Sequence, residues 1–296
     1  MTNKLLERSA IEMRTVVTAA TQMSCSWNIE ANIAKAERMV CEAANLGAQI
    51  ILLPELFETP YFCQEKNEEY FQYAVPTEEN RAVIRLRKLA RDLQVVLPVS
   101  FYEKSATGAY NSIAIIDADG EIMGVYRKTH IPHGPGYEER FYFQNGDSGF
   151  KVWNTRYARI GVGICWDQWF TEAARCMSLL GAELLFYPTA IGSEPVQTEV
   201  DSKSHWQLVM QGHAAANITP VIASNRVGTE QFGDSRITFY GSSFLTNEIG
   251  EIIAEADRHS ETVLIAEFDL NQIARHRDFW GIHQDRRPEM YGKIVE

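Results

Sequence analysis

Apolar residues along this chain follow two rhythms: short unbroken runs, and stripes that recur every three or four positions. Residues 15–23 are rich in Val, Ala and Thr and predict a strand. Over 31–46, Ile33, Ala36, Val40 and Ala43 form one helical stripe, closed by Gly47. Residues 48–54 are too uniformly apolar for a strand with one wet face, which predicts a central place in a covered sheet. A helix over 78–93, a strand over 95–101 and a hairpin over 111–126 turning at 117–120 follow.

After a long loop over 127–150, the same order recurs. A strand runs up to Cys165, then a helix over 170–180 ended by Gly181, a strand over 183–188, a helix over 204–217 and a strand over 219–224. A second hairpin over 239–253 and a strand over 262–268 close the pattern. The order strand–helix–strand–helix–strand–hairpin thus appears twice, without sequence identity between the halves. Two apolar sheets with helices pack most simply sheet on sheet with the helices outside. No Ser/Gly/Pro-rich linker divides the halves. The expectation is an α/β fold of four layers in one domain over 1–296, with a C-terminal arm from about 270.

Composition narrows the function classes. The 296 residues are 45% hydrophobic and 23% charged, ordinary for a globular protein, with a formal net charge of −11. That charge argues against a nucleic-acid surface and would suit a cationic ligand. Five cysteines, an odd number with no CxxC pair, read as reduced thiols in the cytoplasm rather than a disulfide framework. Residues 1–10 lack the apolar core of a signal peptide, and no run approaches the ~18 apolar residues of a membrane span.

The stretch Arg159-Ile-Gly-Val-Gly-Ile-Cys-Trp-Asp-Gln-Trp169 turns abruptly from a buried strand towards an amphipathic helix. A thiol at such a junction sits beside free peptide N–H groups, which favour a thiolate and a developing oxyanion. Cys165 therefore reads as a nucleophile, with a buried structural cysteine as the plain alternative. Glu55 ends the apolar strand Ile-Ile-Leu-Leu-Pro, where partial desolvation would raise its pKa and suit a general base; a solvated loop glutamate is the competing reading. Lys128 ends a hairpin strand and points into a loop dense in Gly, Pro, aromatics and charge; the alternative is a surface lysine. A Cys–His pair drawing on His130, His133, His205 or His213 remains open at this level. His130 and His133 lack further ligands at zinc-like spacing, and Pro132 breaks any helix that would align them, so no metal is expected. GxGxxG, P-loop and GxSxG motifs are absent, and no cofactor is expected.

Leu53-Pro-Glu55-Leu-Phe, Tyr126-Arg-Lys128-Thr-His and Gly163-Ile-Cys165-Trp-Asp resemble, in order and spacing, the three signature segments of the nitrilase superfamily of carbon–nitrogen hydrolases. The resemblance continues through residues 55–63, 131–137, 166–170, 187–195 and 285–288, and points to the N-carbamoylputrescine amidohydrolase branch, which works in polyamine synthesis. It implies a four-layer αββα sandwich and assembly into homodimers or larger oligomers. It also implies Glu55 as general base, Lys128 as oxyanion stabiliser with the Trp166 N–H, and Cys165 as nucleophile, its pKa lowered by Lys128 and the helix start. The family's second glutamate falls on Glu139, with Glu138 its neighbour and competitor. The implied substrate is a small cationic ureide, N-carbamoylputrescine. Glu194, with Asp167 as a second candidate, would pair with its ammonium, and Tyr61, Trp166 and Trp169 would wall its aliphatic stem. Against a core role for the aromatics and a solvated Glu194, these assignments lean on the resemblance. Two departures stand out: His133 where this branch usually carries Asp, and Thr171 where it usually carries Pro.

Overall fold

Alternating apolar runs and amphipathic stripes need partners for their buried faces, and here each finds one in a neighbouring layer. A computed structural model describes residues 14–296; the amino-terminal stretch read for a signal peptide lies outside the described residues. The first half comprises β1 (Thr15–Gln22), α1 (Ile29–Asn45), β2 (Ile50–Leu52), α2 (Arg81–Leu93), β3 (Leu97–Ser105), β4 (Gly108–Ile116) and β5 (Ile122–Arg127). A short α3 (Glu139–Tyr142) interrupts the long loop. The second half comprises β6 (Val152–Asn154), β7 (Arg159–Val162), α4 (Thr171–Leu179), β8 (Leu184–Pro188), α5 (Lys203–Asn217) and β9 (Val221–Ser224). Then come β10 (Val227–Phe232), β11 (Ser235–Tyr240), β12 (Phe244–Thr246), β13 (Ile252–Glu255), β14 (Thr262–Asp269) and α6 (Leu270–Trp280).

The second sheet has the order β13-β12-β9-β8-β7-β6. The first runs β14-β1-β2 and continues into β3-β4-β5 through a parallel bridge between Ile50 and Val96. The two sheets match strand for strand, with β14 antiparallel beside β1 as β6 is beside β7. The last strand of the chain therefore crosses back to complete the first sheet, pairing in register from Thr15 with Asp269 to Gln22 with Thr262.

Burial divides into layers as the apolar pattern requires. Val16, Ile50, Leu52 and Ile113 from one sheet meet Ile160, Val162, Phe186 and Ile222 from the other. Ile33, Val40, Val83 and Leu86 of α1 and α2 cover the outer face of the first sheet. Met177 of α4 and Trp206 and Met210 of α5 cover that of the second. The result is a four-layer αββα sandwich.

Some elements differ from expectation. β3 runs on through Glu103 and Lys104 and turns directly into β4; polar residues at its outer end had hidden it. Phe239 and Tyr240 end a separate ribbon, β10–β11, and the hairpin expected over 239–253 is the shorter β12–β13. Beyond α6 the chain makes two short 3₁₀ turns, Pro288–Met290 and Gly292–Val295, with exposed side chains. No described helix is long and apolar enough to cross a membrane.

Candidate active site

Three strand ends converge. β7 stops at Val162, and Gly163 carries the chain past Tyr187 so closely that a Cβ there would lie 2.8 Å from the ring. Cys165 then takes a left-handed backbone, φ 40°, and opens a 3₁₀ helix, Cys165–Trp169. A non-glycine residue held in that region costs about 1–3 kcal/mol, a cost that clusters at functional sites. The helix expected from residue 170 starts at Thr171, so the thiol opens this 3₁₀ turn and not an α-helix, and the first N–H groups of such a turn have no partner within it. At the end of β2, Glu55 is followed by Leu56, also left-handed at φ 48°, whose N–H donates to Ser100 Oγ at 3.0 Å. At the end of β5, the Lys128 N–H donates to the Asn111 carbonyl at 2.9 Å and continues the β4 pairing. Gly146 N–H donates to the Lys128 carbonyl, in a turn packed so tightly that a Cβ on Gly146 would lie 2.1 Å from the Arg127 oxygen.

Lys128 was expected to point into the loop. It points inward, and Glu55, Lys128 and Glu139 are all 0% exposed. Lys128 Nζ donates to Glu55 Oε1 at 2.8 Å and to Glu139 Oε2 and Oε1 at 2.7 and 2.9 Å. Asn111 Nδ2 donates to Glu55 Oε1 at 2.7 Å, and Tyr61 OH to Glu139 Oε1 at 2.6 Å. Glu139, at the start of α3, is thus the glutamate of the cluster. Its neighbour Glu138 turns outward to Lys66, 3.1 Å away. Glu55 Oε2 is buried and has no hydrogen-bond partner among the described residues. It is the one carboxylate oxygen in the cluster still open to take a proton.

The electrostatics correct the expected thiolate. Burial pushes the Cys165 thiol well above its ordinary pKa, the Glu55 charge adds to this, and Lys128 only partly opposes it. Two carboxylates facing one ammonium leave an excess of negative charge, so the resting thiol is protonated. For Lys128, burial disfavours the ammonium, but Glu139 and Glu55 outweigh it and hold the pKa well above the usual lysine value. Burial likewise raises the Glu139 carboxyl, against the pull of Lys128.

Cys165 and Glu139 open onto a pocket of about 480 Å³. Tyr61, Trp166 and Trp169 line it, and the Tyr61 hydroxyl is committed to Glu139. Trp166 is 40% exposed and lies edge-on to Trp169, ring centroids 6.2 Å apart. Glu194 also lines the pocket, half-buried, and burial raises its carboxyl pKa. His133 and His205 sit at the exposed rim; no Lys or Arg is among the described lining residues.

Asp167 does not reach substrate space. It is fully buried and its oxygens are filled: Oδ2 accepts from Tyr126 OH at 2.7 Å and Ile164 N–H at 3.0 Å. Oδ1 accepts from His130 N–H at 3.0 Å and lies 2.7 Å from His130 Nδ1. Asp167 therefore ties the cysteine turn to the segment that follows Lys128. The Cys–His alternative finds no pair: among the described residues no histidine is hydrogen-bonded to Cys165. His130 serves Asp167 and His213 Nε2 donates to the Gln168 carbonyl at 2.7 Å, while His205 packs on Trp169 and His133 lies exposed at the rim. Asn111 escaped sequence reasoning, since an Asn beginning an apolar strand carries no signal of its own.

Residues 17–278 match the family profile of the carbon-nitrogen hydrolases. The chain is similar to the N-carbamoylputrescine amidase of Arabidopsis thaliana, 57% identical over 95% of this chain and 96% of that one. It is also similar to the citrullinase of Francisella tularensis, 54% identical over 96% of this chain and 99% of that one. Among solved structures, a carbon-nitrogen hydrolase from Helicobacter pylori superposes with a TM-score of 0.88 at 36% identity, covering 95% of this chain and 99% of that one.

Proposed function

The chain belongs to the carbon–nitrogen hydrolase family, in the nitrilase superfamily, and from that premise we propose that it hydrolyses N-carbamoylputrescine to putrescine, CO2 and ammonia in polyamine biosynthesis. The observation that carries the reading is a cysteine set against a buried Glu–Lys–Glu cluster, on a pocket whose outer wall offers a carboxylate and no described cation.

In this reading Glu55 Oε2 takes the Cys165 proton as sulfur attacks the ureido carbon. The tetrahedral oxyanion lies against the Lys128 ammonium and the Trp166 N–H, each such donor being worth roughly 3 kcal/mol in the transition state. Glu55 returns the proton to the departing putrescine nitrogen and leaves an S-carbamoyl cysteine. Water, deprotonated by Glu55 and oriented with Glu139, releases carbamate, which breaks down to CO2 and ammonia. A protonated resting thiol fits this sequence, because proton transfer to Glu55 accompanies attack rather than preceding it. Glu194 holds the distal ammonium, and the aromatic walls suit both the four-carbon stem and the cation.

The relative named citrullinase supports a second reading. Citrulline presents the same ureide and an ammonium at the same reach, with an added carboxylate. That carboxylate would meet Glu194 and no described Lys or Arg, so the decarboxylated substrate is favoured. The test is kcat/KM for N-carbamoylputrescine, citrulline and 3-ureidopropionate side by side. The expected order is as written; 3-ureidopropionate in first place would overturn the amine pocket. We also propose a homo-oligomer, a dimer or larger, supported by the exposed Phe279 and Trp280 and tested by light scattering. A cytoplasmic setting agrees with five unpaired cysteines.

A further inference from the structure

Behind the site lies a second buried ion pair that the mechanism above does not use. Arg226, just past the end of β9, is fully buried, and its five N–H groups make five hydrogen bonds. Nε and Nη2 donate to the Glu55 carbonyl at 3.2 and 3.0 Å, and Nη2 donates also to the Leu56 carbonyl at 2.5 Å. Nη1 donates to the Thr59 carbonyl at 2.9 Å and to Glu230 Oε1 at 3.0 Å. The second Glu230 oxygen accepts the Tyr61 N–H at 2.6 Å. Tyr61 in turn places its hydroxyl on Glu139.

Taking a guanidinium and a carboxylate out of water is costly, and such a pair is weak evidence for stability as such. Its placement is the informative part. The three carbonyls it gathers belong to the loop that carries the base, in which Leu56 is held at φ 48°. A planar five-donor fork can fix three converging carbonyls and a carboxylate oxygen at once through five bonds, where an ammonium has only three donors. Glu230 extends the same hold to Tyr61, so a single buried pair governs both carboxylates that flank Lys128.

We propose that Arg226, together with Glu230, is the positioning device that sets Glu55, and through Tyr61 also Glu139, around Lys128 and Cys165. It rests on the reading of Glu55 as the base, and not on which ureide is the substrate. A shift of about 1 Å at a reacting group can cost ~100-fold in rate. The experiment compares Arg226→Lys and Glu230→Gln with the parent protein, using kcat and KM on N-carbamoylputrescine, circular dichroism, and the rate of Cys165 alkylation by iodoacetamide read on its peptide by mass spectrometry. Alkylation needs no ureide, so a wrong substrate assignment does not disturb that arm.

The expected result is a kcat loss of ~100-fold in Arg226→Lys and ~10-fold in Glu230→Gln, with KM changed less than ~3-fold. Cys165 alkylation should slow in the same order, because a displaced Glu55 no longer accepts the thiol proton. General loosening of the fold would do the opposite, exposing the sulfur and speeding its alkylation. If Arg226→Lys does not fold, Glu230→Gln decides alone. Folded variants with parental kcat, or activity lost while alkylation is unchanged or faster, would overturn the proposal.

Discussion

The floor and the rim of the pocket are built on different terms. On the floor, Glu55, Lys128 and Glu139 are wholly buried, the first two just past strand ends and the third at the start of α3, and they are held by several hydrogen bonds each. At the rim, Glu194, His133 and Trp166 lie on loops or short turns, partly exposed, and Glu194 brings a half-buried carboxylate free for an incoming cation. Buried charges that compensate one another tolerate no rearrangement, because removing one strands the others at a cost of about 3–5 kcal/mol. Exposed groups carry no such penalty. The floor can therefore support one chemistry, while the rim can be altered to select among substrates that share it. Floor changes should lower kcat for every ureide, and rim changes should raise KM for some.

The largest effect separates the two regions most plainly. Cys165→Ala should lower kcat by ~10⁵-fold or more on N-carbamoylputrescine and on a neutral ureide alike, while circular dichroism and the melting temperature stay close to the parent. Rapid-quench mass spectrometry should find the carbamoyl adduct only in the parent. Measurable turnover of either substrate by Cys165→Ala would take the nucleophile's role away from this residue.

The same division decides what could be read from the chain. Glu55, Lys128 and Cys165 are legible because each interrupts an apolar run with a reactive group, and a fold that gathers strand ends gives all three one use. The four layers are legible for a related reason, since uniformly apolar strands such as 48–54 demand cover on both faces. The return of β14 to the first sheet is not legible, because strand pairing over some 240 residues leaves no local mark. Nor are Asn111 and Arg226, whose value lies in where their donors point. Asp167 misleads for a like reason: an acid two residues from the nucleophile suggests a ligand for substrate, yet two backbone N–H groups and the Tyr126 and His130 side chains claim its oxygens. The thiol pKa runs against expectation because burial, joined by the carboxylates that Lys128 already serves, outweighs the ammonium.

At the rim, Glu194→Gln keeps the shape and removes the charge. KM for N-carbamoylputrescine should rise ~10-fold, about 1.4 kcal/mol, with kcat and the KM of N-butylurea nearly unchanged. Steady-state kinetics on both substrates test it. An equal rise for N-butylurea would make Glu194 a support for the loop, and the rim would then join the floor as structure.

The smallest effect is one of pH, and it asks whether the rim titrates separately from the floor. Burial raises the Glu194 carboxyl, and only its ionised form attracts an ammonium. As pH falls, Glu194 should protonate at a higher pH than a free glutamate, near 4.3, and the hold on N-carbamoylputrescine should weaken there. The measure is the ratio of kcat/KM for N-carbamoylputrescine to that for N-butylurea, in which the shared titration of the floor cancels. This ratio should fall a few-fold towards acid, bounded by the Glu194→Gln effect. Glu194→Gln isolates the carboxylate, since the part of the slope lost in that variant belongs to Glu194. A slope identical in parent and variant would remove Glu194 from cation recognition.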